Sequence, residues 1–380
     1  MPGASGVLSY QQLKELLASG MVRAEKELTE QQVQPSSIDL RLGKFGYRVP
    51  ASFLLTKGGK VADKLEQYQQ HYYKFSIEKG AFLEARKTYV FELQERLHIP
   101  ATIKGRANPK SSTGRLDTFT RLITDGCQNF DMVQAGYEGK LYLIVFPMSF
   151  DLKVQEGICL NQIRFSTTDQ AYKLHNQDLL ALHGQTPLLF DKQDNPLAPT
   201  LIREDGVFLT IDLSEDIVGY RSKKNAMPID MTNIGGHLIE DYWDPIRKPK
   251  KGRLILDPDF FYILKSKEKI AIPTHMACEM VDFHSGIGEF RSHYAGFFDP
   301  GFGFGKNGEI KGSHAVLEVR MRDTPMEIED GQIVVKMVFE QMLEIPDVAY
   351  GVEKKSNYQN QGLKLGKHFV EKIETSTHNL

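Results

Sequence analysis

The sequence predicts a mainly β protein built as two tandem β domains with a few short helices. Three features lead there. Apolar residues come in short or alternating runs such as "TYVFEL" (88–93), "KLYLIVF" (140–146), "FFYILK" (260–265) and "AVLEVRM" (315–321), rich in β-branched and aromatic side chains. Gly, Pro and Asp punctuate these runs, as turns between many strands require. The same phrases also return in the same order. Ile38-Asp39-Leu40 in "SSIDLRLG" recurs as Ile211-Asp212-Leu213 in "FLTIDLSED", 173 positions later. Ile99-Pro100 recurs as Ile272-Pro273, again 173 later, and "EGICLNQIRF" (156–165) matches "DGQIVVKMVF" (330–339) at 174. Tandem duplication of one domain explains such spacing.

The helices are few. Ser9 starts one, with Gln12 in capping-box position and Gly20 as its stop, and "TDQAYKLHNQDLLALHG" (168–184) reads as another. The stretch "QTPLLFDKQDNPLAPTLIREDG" (185–206) has the Pro and polar content of a linker. The expected organisation is therefore an N-terminal domain over 1–184, a linker over 185–206 and a C-terminal domain over 207–380. A chain of 380 residues gives each domain enough length for its own core.

Charged residues make up 25% of the chain and the net charge is −2. No global field draws in nucleic acid or a membrane, so an anionic ligand must be held by a local cluster. Cys127, Cys159 and Cys278 are widely separated and form no C-x-x-C pair, which argues against a disulfide framework and a thiolate zinc site. The N-terminus lacks the cationic start and apolar core of a leader, and no later apolar run approaches membrane-span length. The expected location is cytoplasmic.

One loop stands apart. "GRANPKSSTGRLDTF" (105–119) holds cations, glycines and a run of hydroxyls with little apolar content. At the repeat offset, Lys110-Ser111-Ser112-Thr113-Gly114-Arg115 faces Phe283-His284-Ser285-Gly286-Ile287-Gly288, so the second copy has lost the cations. Hydroxyls, exposed backbone N–H groups and an Arg fork suit phosphate oxygens, though the loop also reads as a solvated surface turn.

Elsewhere the loss runs the other way. Gln134 stands where the second copy has Asp299, and Ile144 or Val145 where it has Glu318. An Asp-Pro-Gly turn leading to a strand with one Glu among Ala, Val and Leu suits a pocket, where apolar neighbours push a carboxyl's pKa upward. Strand alternation leaves a second reading open. Glu318 shares a face with Val316 and Arg320, which would be a solvent face. A single composite site, with the anion loop from one half and the carboxylates from the other, explains both losses. His284, His293 and His314 are left unassigned, and Trp243 either stacks on a ligand or packs.

In order along the chain, "QPSSIDLRLG", "PKSSTGR", "AGFFDPGFGFG", "AVLEVRM", "EDGQIVVKMVFEQM" and "SNYQNQGLKLGKHF" resemble the motifs of the dCTP deaminase and dUTPase superfamily. The opening and the Tyr-Gln-x-Gln-Gly tail point to the deaminase branch, in its double-length bacterial form, over roughly residues 5–370. The resemblance implies two dUTPase-like domains of distorted-barrel or jelly-roll type, in a trimer-type assembly with sites between neighbouring domains. The expected partners are dCTP or dUTP and further copies of the chain, with no nucleic acid and no membrane.

Residue by residue, the resemblance implies that Ser111, Ser112 and Arg115 hold phosphates and position water, with Lys110 where the family usually has Arg. Ala295 and Asp299 match the nucleoside-recognising turn, Phe302 its aromatic, and Glu318 the catalytic acid/base. Gln332, Tyr350, Asn357, Tyr358 and Gln361 match further substrate contacts, the last four in a tail that closes as a mobile lid. Asn357 replaces a frequent Lys, Gly296-Phe297 replaces a polar pair, and 303–314 lengthens the turn. Arg291, Arg320 or the cluster 246–253 are candidates for the missing contacts.

The expected reaction is hydrolytic deamination of dCTP to dUTP and ammonia. Zinc deaminases carry H-x-E and P-C-x-x-C, and neither pattern occurs here. The expectation is therefore metal-free chemistry at the base, with magnesium riding on the triphosphate. The rival readings are a dUTP pyrophosphatase or a bifunctional enzyme giving dUMP, and a non-catalytic nucleotide-binding module.

Overall fold

Long strands form where the sequence alternates. In Thr88–His98, Leu93, Glu95 and Leu97 turn inward while Arg96 and His98 face solvent, as the two-residue period of a strand dictates. The structure, a computed structural model, describes residues 5–169, 171–281, 290–291, 296–351, 354–355 and 358–370.

The first half is built on a nine-stranded sheet. Its path runs Thr118–Ile123, Glu138–Pro147, Thr88–His98, Ile38–Val49, Cys159–Thr167, Ile103–Pro109 and Met132–Val133, with Val22–Ala24 and Lys74–Ser76 on its flanks. The second half places its main strands in two sheets, with shorter pairs beside them. One contains Ile217–Ser222, Phe261–Ile270 and Ser313–Met321; the other contains Gly206–Thr210, Ile333–Gln341 and Met276–Val281. The pairing plan repeats. Cys159–Thr167 lies between Ile38–Val49 and Ile103–Pro109, as Ile333–Gln341 lies between Gly206–Thr210 and Met276–Val281.

Each half buries its own apolar cluster, with Leu40, Phe91, Leu143 and Phe165 in the first and Leu209, Leu264, Leu317 and Phe339 in the second. Trp243, Phe261, Ile263 and Val316 of the second half join the first cluster, so apolar packing continues across the junction. Trp243 packs on Phe150, Phe261 and Phe369 with 1% exposure. It is a core residue.

The first helix is Tyr10–Ala18. Ser9 and Gln12 cap it, and Gly20 leaves it at φ 74°, a left-handed conformation that suits a residue without Cβ. The second differs from the sequence reading. Only Asn176–Gln185 is helical, while Tyr172 and Leu174 pair with the strand at Phe339 and Gln341. Leu174 and Leu179 bury in the second cluster, so this helix packs with the second half. The stretch 185–206, expected as a linker, is also packed: Leu189–Phe190 pairs with Lys269 and Ile270, and Leu188 and Leu189 are fully buried. Its leucines outweigh its prolines, because burying each stabilises by about 1.5–3 kcal/mol.

Polar contacts tie the halves together. Arg106 meets Glu279 at 3.0 Å and Glu340 at 2.8 Å. Arg320 of the second half forms a buried ion pair with Asp117 of the first and donates to Ser149 Oγ at 2.9 Å. Leu152–Lys153 pairs in parallel with Ile229–Asp230. Among the described residues, no helix is long and apolar enough to cross a membrane.

Candidate active site

The anion loop follows strand Ile103–Pro109 as a single helical turn, Ser111–Gly114. Lys110 O accepts from Thr113 N–H at 2.8 Å and Gly114 N–H at 3.0 Å, which closes the turn and leaves the Ser111 and Ser112 hydroxyls beside a cavity. That cavity, about 960 Å³ including its open mouth, is lined by both halves. From the first come Lys110, Ser111, Ser112 and Arg115; from the second come Asp299, Phe302, Val316 and Glu318, joined by Tyr350, Tyr358 and Gln361.

Glu318 lies on strand Ser313–Met321, opposite Ile263, and is 3% exposed. Alternation does put it on a face with Val316 and Arg320, but that face is turned to the first half, not to solvent. The carboxyl group rests against Gly114. A Cβ built there would come within 2.6 Å of Glu318 Cδ, so only glycine lets the loop approach so closely.

The tail closes one side. Arg115 Nη2 donates to Gln361 Oε1 at 2.9 Å, its Nη1 donates to Lys364 O at 2.7 Å, and its guanidinium stacks 3.9 Å from the centre of the Tyr358 ring. Gln361 donates in turn to His314 O at 3.1 Å, at the start of the strand that carries Glu318. Gln359 ties the tail to the turn, donating to Gly301 O and accepting from Gly303 N–H, both at 3.0 Å. The Asp299 turn is held from the first half: Ser36 Oγ donates to Asp299 Oδ1 at 2.5 Å, and Arg164 Nη2 donates to Ser36 Oγ at 3.0 Å.

The electrostatics follow from this packing. Burial pushes the Asp299 carboxyl up, against the opposing pull of Arg164 and Ser36. Burial works to lower Lys110, but the Asp39 charge and hydrogen bond outweigh it and keep the ammonium charged. Lys367 is held down by burial and by Lys110. Burial raises the Cys159 thiol to about 12, which makes it a poor nucleophile.

Ten of the thirteen residues expected at the site line this cavity. Ala295 and Asn357 lie outside the described residues, as do His284, His293 and the Arg291 side chain. Gln332 does not join the others. It sits in the turn before Ile333–Gln341, where its Oε1 accepts from Glu329 N–H at 3.1 Å and its carbonyl from Ile211 N–H. The motif around it marks a strand start, and neither that turn nor the strand that follows lines the cavity. Two of the candidates for extra contacts fall away. Arg320 is committed to Asp117, and 246–253 is absent from the lining. The 303–314 segment folds on itself, with the Glu309 carboxylate accepting from Lys306 and Asn307 N–H groups, and only its neighbour Phe302 reaches the cavity.

Other lining residues were missed from sequence: Gln34, Gln162, Phe297, Phe298 and Lys367. Gln34 precedes the repeated Ile-Asp-Leu phrase and carried a positional signal. Phe297 stood out in sequence only as a departure from the motif; in the fold the Arg164 guanidinium lies 4.2 Å from its ring centre.

A composite cavity with hydroxyls, cations, aromatic rings and the carboxyls of Asp299 and Glu318, set between the halves of a β-rich chain, has the chemistry to take a phosphorylated, planar-headed ligand. The chain belongs to the 2'-deoxycytidine 5'-triphosphate deaminase family, matching its N-terminal domain over residues 4–169 and its C-terminal domain over 175–369. It is 42% identical to the crystallised 2'-deoxycytidine 5'-triphosphate deaminase of Agrobacterium tumefaciens, with TM-score 0.84 over 93% of this chain and 100% of that one. It is also 25% identical over 164 residues to a dCTP deaminase of Ignicoccus hospitalis, covering 43% of this chain and 84% of the relative. A dUMP-forming dCTP deaminase of Methanobrevibacter smithii is 31% identical over 140 residues, 36% of this chain and 67% of the relative.

Proposed function

We propose that the chain deaminates dCTP hydrolytically, that the cavity between its halves is the active site, and that Glu318 is the proton carrier. The observation that carries this reading is the meeting of Gly114 and Glu318: the loop kept by one half and the carboxyl kept by the other share one cavity within one chain.

In this reading the triphosphate, arriving with its magnesium, lies along Ser111, Ser112 and Lys110, and the base enters between Phe302 and the Asp299 turn. Glu318 takes a proton from a water held near Ser111 and Arg115 as the water oxygen attacks C4. The same carboxyl passes that proton to N3. A second transfer, from the attacking hydroxyl to the exocyclic nitrogen, lets ammonia leave as the C4 carbonyl forms. Donors at the loop stabilise the charge that develops on the attacking oxygen. The absence of the H-x-E and P-C-x-x-C patterns supports a route without zinc. The chain is read as a cytoplasmic enzyme acting in a homo-oligomer.

Glu318→Gln tests this. Nucleotide binding should persist while ammonia release falls by about 10²–10⁴-fold. Turnover of dCTP near the parent rate would remove Glu318 from the chemistry. The dUMP-forming relatives favour a second reading, in which the same site also releases pyrophosphate. Incubation with dCTP separates the two: dUTP accumulates in the first and dUMP in the second.

A further inference from the structure

Three cations, Lys110, Arg115 and Lys367, line the cavity, and they differ in how firmly each is tied to protein partners. Lys110 is neutralised by Asp39. Arg115 is committed to Gln361, Lys364 O and the Tyr358 ring. Lys367 lines the same cavity, and among the described residues its Nζ forms no ion pair. Its backbone is fixed on both sides. Its N–H donates to Tyr358 Oη at 3.4 Å, and its carbonyl accepts from Gly235 N–H at 3.0 Å. The next residues continue into a parallel pairing of Phe369–Val370 with His237–Leu238. A half-buried ammonium beside a second lysine, with the opposing Asp39 carboxylate already paired to Lys110, is costly to hold in place. An anion of several charges in the cavity removes that cost.

We propose that Lys367 reads the length of the phosphate chain, its ammonium binding the end of the polyphosphate and setting the preference for triphosphate over shorter nucleotides. This rests on the reading of the cavity as a nucleotide site. Lys367 stands near Lys110, on the loop side of the cavity where the Ser111 and Ser112 hydroxyls open, and burial with Lys110's repulsion holds its pKa down. The charge is therefore worth most when phosphate oxygens face it. A monophosphate, with fewer charges and shorter reach, leaves Lys367 unused.

Lys367→Met keeps the aliphatic stem and removes the charge; Lys367→Arg keeps the charge. With the full chain, KM and kcat are measured for dCTP, dCDP and dCMP, and tripolyphosphate binding is measured by calorimetry. Lys367→Met should raise KM for dCTP about ten- to hundred-fold, the worth of a hydrogen bond to a charged group. The value of kcat and the response to dCMP should stay as in the parent, tripolyphosphate should bind correspondingly more weakly, and Lys367→Arg should restore most of both. An unchanged KM for dCTP, or an equal loss with dCMP, overturns the proposal. If the parent releases no ammonia from dCTP, the deaminase reading fails, yet the tripolyphosphate measurement still decides the role of Lys367.

Discussion

Gly114 of the first half lies directly against the carboxyl group of Glu318 in the second, so close that the loop has no room for a Cβ. Gly114→Ala should therefore displace Glu318 by an ångström or so and lower kcat by about a hundred-fold, the cost of a small misplacement at a reacting centre. Circular dichroism should still show the parent's β content. Parent-like turnover would mean that the carboxyl has another productive position.

Arg115 and Glu318 line one cavity within one chain, and a site formed wholly by that cavity would need no second copy to complete it. Arg115→Ala and Glu318→Ala chains co-expressed and purified together should remain inactive. Recovery of a sizeable share of parent activity would show instead that neighbouring chains exchange these groups.

Asp117 and Arg320 form a buried ion pair across the junction, with Ser149 Oγ as an added acceptor. Removing one partner strands the other charge, so Arg320→Met should cost about 3–5 kcal/mol in urea unfolding. The double variant Asp117→Asn, Arg320→Met should recover much of that loss. If the double variant is no more stable than Arg320→Met, the pair is not what the single substitution disturbs.

His368, fully buried at the far end of the tail, has its pKa lowered from 6.5 to about 4, by burial first and by the Lys367 and His237 charges next. The unfolded chain takes up this proton below about pH 6.5, while the folded chain refuses it until about pH 4. Stability is thus complete above pH 6.5 and falls across that window, by about 3 kcal/mol in total. Denaturation at pH 7.5 and 4.5 checks this. His368→Met should flatten the fall, and an equally steep fall in the variant would assign it to other groups.

Much of the site was legible because the two halves had diverged in opposite ways. Lys110 to Arg115 against an uncharged counterpart, and Glu318 against Ile144 or Val145, are visible without any structure. Gln332 was misleading, since its motif marks the turn before a strand, and that turn is bonded to Ile211 while neither it nor the strand lines the cavity. Lys367 was invisible for the opposite reason: nothing local distinguishes it from a surface lysine, and only the tail's path past Tyr358 and Gly235 brings it to the cavity.

The sequence by itself determined the β-rich plan, the first helix with its cap, and the types of polar side chain that each half brings to the cavity. Those follow from periodicity and side-chain type, which act over a few residues. Tertiary structure decided which face of the Glu318 strand is buried, which core claims the helix at 176–185, and that Gly114 and Glu318 of one chain meet at one cavity. Those outcomes depend on which surfaces meet, and apolar area and paired charges more than two hundred residues apart, such as Asp117 and Arg320, settle that only when the halves pack.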